Sequence, residues 1–448
     1  IAGQSAIGYS LILLWSVGGF LSAFVVGTQA ITARRFGEGN RDGAGRTLAN
    51  SLVITVSTSI VCAMGAYVAI VQVFPFFNSN PDVLRLGIPY AQWRMLGIFG
   101  MVTVVSFKGF FDGIGFTKAH MFAAIVMNIL NVVLNFVFIY GWGPVEPMYV
   151  EGAGVASTIS ALVGLVLMFF ISLAPRYRKT YGYYRRGLLE PGVLYEITRL
   201  AIPYAFATLF IMLGFALFFK IVGMLDAAVV DESILAFGLW TLEDIPTVLA
   251  GGIHPVVGDA QPSVLVARPP VSVAAGKVIM DVMSVAFMTC VAFGTGTATL
   301  VSQCIGAGDT AKAERYTWES VRIGVVLMAV GGALCVVFPE EIFSVFSRDA
   351  EVLASGRTSL QLMGFGMAFI AVALVIAQAL FGAGDTAFVA KVQALLLVVW
   401  LVPMAYVFGH MLGLESFGIW LSAVLYFLWM AWAMFWKFRR GDWKEIKL

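Results

Sequence analysis

The sequence predicts an all-α integral membrane protein built from two pseudo-symmetric six-helix bundles, with eleven of the helices visible. Composition is the first reason. Of 448 residues, 60% are hydrophobic and only 12% charged, about half the charge of a soluble domain. The mean hydropathy is +0.90. Such a chain has too little polar surface to cover a water-facing exterior, which excludes an ordinary soluble enzyme and makes lipid the solvent. The second reason is the length of the apolar runs, and the third is an internal repeat. A net charge of +2, from 28 Lys and Arg against 26 Asp and Glu, leaves no nucleic-acid footprint. The four cysteines sit singly in apolar runs, and His120, His254 and His410 share no ligand spacing, so no disulfide framework or metal site is expected.

Eleven stretches are long enough to cross a bilayer: about 7–33, 45–75, 84–112, 119–141, 152–174, 197–225, 273–303, 317–338, 355–381, 388–411 and 415–436. All are expected as helices, because lipid-exposed strands need a closed barrel with alternating polarity. Gly, Pro, Asn and Asp clusters such as Gly141-Trp142-Gly143-Pro144 separate them. The segment 227–272 has no counterpart in the first half; it is expected as an external insertion, a partial cover over a cleft.

The connecting loops alternate in charge. One set carries Arg34, Arg35, Arg41, Arg46, Lys118, the cluster Arg176 to Arg186, Lys312, Arg315 and the tail from Lys437 to Lys447. The loops at 75–82, 141–151 and 409–414 have no Lys or Arg, and 339–350 has Arg348 alone. The positive-inside rule makes the first set, with the C-terminus, cytoplasmic. Eleven spans then put Ile1 outside, and a twelfth, upstream helix would return the N-terminus to the cytoplasm.

The repeat has a fixed offset. Gly27, Gly37 and Arg46 recur as Gly296, Gly306 and Arg315; the differences 296 − 27, 306 − 37 and 315 − 46 are each 269. The same shift takes Gln92 to Gln361 and Gly113-Ile114-Gly115 to Gly382-Ala383-Gly384. Near the ends of the halves, Gly154 returns as Gly418 with a five-residue slip. Residues 1–187 thus form one lobe and 188–448 the other, related by an axis along the membrane normal. The turn glycines Gly37, Gly39, Gly113, Gly115, Gly306, Gly308, Gly382 and Gly384 could cradle a phosphate, but no strand precedes them and the dinucleotide pattern is absent. They are read as helix caps, tight turns and hinges between rigid helices.

Polar groups inside spans are costly and therefore candidates for function. Asn128, Asn131 and Asn135 lie at i, i+3 and i+7, which places three amides on one helix face. Their repeat partners are Leu397, Trp400 and Met404, so the ladder is confined to the first lobe. Amide carbonyls are good ligands for hard cations; amides also glue helices together, and the one-sided ladder favours function. Asp281 could bind a cationic substrate or form a bridge with Lys277. Lys108 and Asp112 read as a structural bridge, Lys220 and Asp226 as snorkelling charges, and Arg94 has no visible partner. Gln92 and Gln361 could line a cleft or bond between the lobes.

The segments RRFGEGNRDGAGR at 34–46, VSQCIGAGDTAKAER at 301–315 and FGAGDT at 381–386, with Asn131 to Asn135, Trp400 and Pro403, resemble the multidrug and toxic compound extrusion (MATE) transporters. The resemblance covers nearly all of the chain outside 227–272. It implies twelve helices in two lobes forming an outward-open V in the cytoplasmic membrane, with no cofactor and no enzymatic activity. The expected cargo is an amphipathic, cationic organic compound, exported by a monomer against Na⁺ or H⁺ entry. On that template the first family helix is absent. The family's first-lobe cation site uses an Asp in that helix, an Asn-x-x-x-Asp pair and a hydroxyl from the sixth helix. Asn131 matches the Asn, Asn135 stands where the acid would be, and Ser157 or Thr158 supplies the hydroxyl. The rival readings are a flippase for a lipid-linked precursor, which would favour a cationic cleft, an integral-membrane enzyme, and an uncoupled relative.

Overall fold

The computed structural model describes residues 7, 10, 13–76, 81–185, 187–227, 271–347 and 349–446. The expected insertion at 227–272 falls, apart from its edges, outside the described residues. The described chain is helical; an isolated bridge between Trp142 and Val145 is its one β-type pairing. Eleven long apolar helices match the eleven stretches: α1 (Trp15–Gly37), α2 (Arg41–Phe76), α3 (Pro81–Gly113), α4 (Lys118–Tyr140), α5 (Tyr149–Leu173), α7 (Pro191–Leu225), α8 (Val271–Gly306), α9 (Thr310–Val337), α11 (Ala350–Ala383), α12 (Thr386–Met411) and α13 (Glu415–Arg440). Two short helices, α6 (Pro175–Tyr181) and α10 (Pro339–Phe346), complete the set.

The offset of 269 is written into the geometry. Asn40 caps α2 by accepting from the Gly43 amide at 2.8 Å, and Asp309 caps α9 by accepting from Lys312 at 2.9 Å. Phe74 fills the space beside Gly87, as Phe343 does beside Gly356. The turn glycines also repeat: φ is +76° at Gly39 and +78° at Gly308, +82° at Gly115 and +97° at Gly384. These are left-handed turn positions that a side chain would strain. Within each half one helix is central: α3 packs on α1, α2 and α5, and α11 on α8, α9 and α13. The second half buries one continuous apolar core.

The halves meet along α1, which packs on both α8 and α7, and the polar contacts named here lie toward the end that carries the basic loops. Gln29 donates to the Thr299 hydroxyl at 2.8 Å and to the Thr295 carbonyl at 3.0 Å; Ser302 donates to the Ala30 carbonyl at 2.7 Å. Gln303 donates to the Gly113 carbonyl at 2.7 Å, and Arg34, its repeat partner, donates to the Ala383 carbonyl at 3.0 Å. A Cβ on Gly37 would strike the Gln303 carbonyl oxygen, and one on Gly306 the Arg34 carbonyl oxygen. The two backbones therefore touch where only glycine leaves room. Residues 441–446 lie across this closure: Trp443 is buried and stacked on Phe438 at 4.7 Å, Lys444 reaches Glu314 at 2.6 Å, and the Ile446 carbonyl accepts from Arg34 at 2.5 Å.

A groove of about 630 Å³ runs between the halves, lined among others by Lys108, Asp112, His120, Ala292, Gly296 and Leu300. Shifted by 269, the last three become Ala23, Gly27 and Ile31. On that side α7 occupies the seat: Ile197 lies against Gly27 and Ile31, and Ala201 and Ala205 against Ala23.

Candidate functional site

The amide ladder grows from the packing of α4 on α5. Met127 of α4 covers Gly164 of α5, and Phe138 covers Gly152, which brings the two helices close along their length. Close approach places Asn131 against Ser157: the Asn131 amide donates to the Ser157 hydroxyl at 3.3 Å. One turn further along, Asn135 donates to the Asn131 carbonyl oxygen at 3.2 Å. This leaves the Asn135 carbonyl oxygen buried with no hydrogen-bond partner. A buried acceptor left unmade costs about 1–3 kcal/mol, unlike the exposed loop polar groups that water satisfies.

The other sequence-selected residues are placed as follows. Asn128 is exposed and forms no hydrogen bond with the other two amides, so the ladder that acts as a unit has two rungs and a hydroxyl. Thr158 turns away from the amides and donates to the Trp93 carbonyl of α3 at 2.6 Å. Gln92 reaches the Tyr67 carbonyl at 3.5 Å and Gln361 the Val336 carbonyl at 3.0 Å, each within its own half and again related by 269. They act as cross-links between neighbouring helices. Asp281 is held by Lys277 at 2.6 Å, with both side chains well exposed. Lys108 and Asp112 pair at 2.7 Å beside the groove. In the second half, Leu397 of the shifted ladder packs on Gly214 and Trp400 stacks edge-on with Trp429 at 5.6 Å. α12 there contains two wide turns, Leu397–Leu401 and Val407–Met411, flanking Pro403.

Sequence reasoning did not single out Gln29, Ser302, Gln303 or the role of Arg34. A signal existed: Thr28, Gln29 and Thr32 interrupt an apolar run, and Arg34 maps onto Gln303 by the same offset. Among the described residues no carboxylate bonds to Asn131, Asn135, Ser157 or Arg94.

The model of the family MatE matches residues 5–137 and 263–407. A probable multidrug resistance protein NorM of Thermotoga maritima is 20% identical over 446 residues, covering 99% of this chain and 86% of that protein. The one from Pasteurella multocida is 23% identical over 397 residues, covering 87% and 76%. Among solved structures, the outward-facing conformation of a multidrug resistance MATE family transporter of the MOP superfamily superposes with a TM-score of 0.82 at 18% identity, covering 99% of this chain and 89% of that one. A MOP superfamily transporter from Pyrococcus furiosus superposes with a TM-score of 0.81 at 18% identity, covering 98% and 88%.

Proposed function

Since the chain belongs to the MatE family, and is thus a multi-pass membrane transporter rather than an enzyme, we propose that it is a secondary active exporter of amphipathic organic compounds, driven by Na⁺ or H⁺ entry. The face carrying the basic loops is taken as cytoplasmic. The two lobes are closed on that face by α1 and α8 and exchange access by rocking about it. Coupling is assigned to the first lobe. The observation that carries it is the buried, unpartnered Asn135 carbonyl oxygen beside Asn131 and Ser157, where a bare or hydrated cation finds a free ligand. The second lobe has apolar or aromatic side chains at the corresponding positions, so it supports no equivalent site. The turn glycines supply the hinges.

The test is transport by the full-length protein in sealed vesicles, with a panel of cationic, neutral and anionic amphipathic dyes. Movement of at least one dye is expected under an inward Na⁺ or H⁺ gradient and is expected to stop when the gradient is collapsed. Asn131→Leu is expected to remove the gradient dependence while the protein still purifies as a folded monodisperse species. Transport that ignores the gradient would refute antiport, and gradient-driven transport in the variant would refute the site.

A further inference from the structure

Arg94 is the charged group that the coupling reading does not use. It sits in α3, thirteen residues from the start of the helix at Pro81, with a buried Nε that has no hydrogen-bond partner. Among the described residues no carboxylate ion-pairs with it. The ionisable neighbour that reaches it is the Tyr90 phenol, which is neutral at ordinary pH. Glu151 of α5 accepts from the Trp93 indole at 3.0 Å and forms no ion pair with Arg94. An intramembrane arginine is expensive, and one that no described carboxylate pairs with marks a candidate functional position.

Its direction follows from helix geometry. Tyr90, Arg94, Met101, Lys108 and Asp112 succeed one another by 4, 7, 7 and 4 residues, which keeps them on one strip of α3. Tyr90 borders Gly154 of α5 on one flank of the strip, and Met101 borders Gly18 of α1 on the other. Lys108 and Asp112, at its lower end, line the groove that faces Phe293, Thr297 and Tyr316 of the second half. Arg94 lies 18 residues, five whole turns, above Asp112, so the strip that lines the groove at its lower end carries Arg94 at its upper end, beyond the lining residues of the groove itself.

Its depth is fixed by a chain of bonds. Trp93, the preceding residue, accepts from Thr158, and Ser157, next to Thr158, accepts from Asn131. Arg94 and Asn131 therefore lie at one depth, with Asn135 one turn further along α4. The shift of 269 puts Met363 in the place of Arg94, and that side chain is buried in apolar core. The fixed positive charge is confined to the first lobe, as the amides are.

We infer that Arg94 is a binding residue for the acidic head of the cargo, and that the transporter selects amphipathic anions bearing a carboxylate, sulfonate or phosphate. A guanidinium offers such groups a planar, two-pronged donor that no cation can use. A permanently cationic compound lying against the guanidinium itself would meet repulsion that no carboxylate among the described residues offsets by ion pairing. The inference rests on the transporter reading only in taking the space between the lobes as the cargo path.

The experiment is equilibrium binding to the purified full-length protein in a non-ionic detergent, with radiolabelled taurocholate as the anionic probe and ethidium as the cationic one. The wild type is expected to bind taurocholate, with Arg94→Gln weakening it about tenfold or more and Arg94→Lys retaining part of the affinity. Ethidium is not expected to displace it. Phosphatidylglycerol that displaces taurocholate from the wild type and not from Arg94→Gln would support the inference with a lipid headgroup as the source of the anion. Taurocholate failing to bind the wild type, or binding Arg94→Gln equally well, would overturn it. Because binding needs no gradient, the inference stands or falls separately from the vesicle experiment: taurocholate binding without gradient-driven transport would refute only the exporter.

Discussion

Adding one methyl group at Gly37 or Gly306 is expected to spring the closure between the lobes. An ideal Cβ at Gly37 collides with the Gln303 carbonyl oxygen, and at Gly306 with the Arg34 carbonyl oxygen. In both cases the obstructing atom is backbone within a helix, so no flexible side chain can move aside. Overpacking of this kind costs about 1–3 kcal/mol. Here the strain is confined to the state in which α1 and α8 touch, because a conformation with the helices apart has no Gln303 or Arg34 carbonyl nearby. On the rocking mechanism proposed above, a shift of about 2 kcal/mol moves the balance between the two states about 30-fold toward the one open on the basic face. Spin labels on the basic ends of α2 and α9 would report this as a longer distance population by double electron–electron resonance. Gly37→Ala and Gly306→Ala are expected to behave alike. The double variant should fall short of their sum, because the two contacts share one interface and relieving one relieves the other. Distances identical to the wild type in both single variants, with unchanged thermal stability, would refute the assignment of these glycines as the close-contact pair.

Two further outcomes separate anchored from idle groups. Trp443→Ala removes a fully buried indole that stacks on Phe438 and donates to its carbonyl at 2.9 Å, so a loss of about 3–5 kcal/mol and release of residues 441–446 to limited proteolysis are expected. A protease-resistant tail in that variant would show that Lys444 and Arg34 hold it unaided. Lys277→Ala breaks only an exposed i,i+4 pair with Asp281 and is expected to change the melting temperature and transport negligibly, since such pairs contribute about 0.3–0.5 kcal/mol. A clear loss of cargo binding in Lys277→Ala would give Asp281 and Lys277 the role in the cavity that their exposure argues against.

The helices and their repeat were legible because both rest on local information. Twenty apolar residues need no partner to declare a span, and two copies of one hairpin announce themselves by spacing. The amide pair was legible for the same reason, since i and i+4 on a helix are neighbours whatever surrounds them. Asn128 was harder. It shares the helical face on paper, yet α4 packs along α5 by Met127 and Phe138, and that axis leaves Asn128 exposed. Gln92 and Gln361 read either as cleft-lining amides or as bonds between the lobes, but each reaches a backbone carbonyl of the preceding helix in its own half, which only the crossing of α2 with α3, or of α9 with α11, decides. The contacts of Gln29, Ser302 and Gln303 join residues more than 180 positions apart, and no periodicity carries that information. For Arg94 the sequence offers no partner; the bonds through Thr158 and Ser157 are what give its depth a meaning.

The meeting of Gly37 with Gln303 and of Gly306 with Arg34 is isologous, since each hairpin offers the other the same surface it receives. A chain holding a single copy of that hairpin already carries both halves of the contact and could pair with its twin around a two-fold axis. Two copies joined end to end therefore need no new interface beyond the one that each already carries.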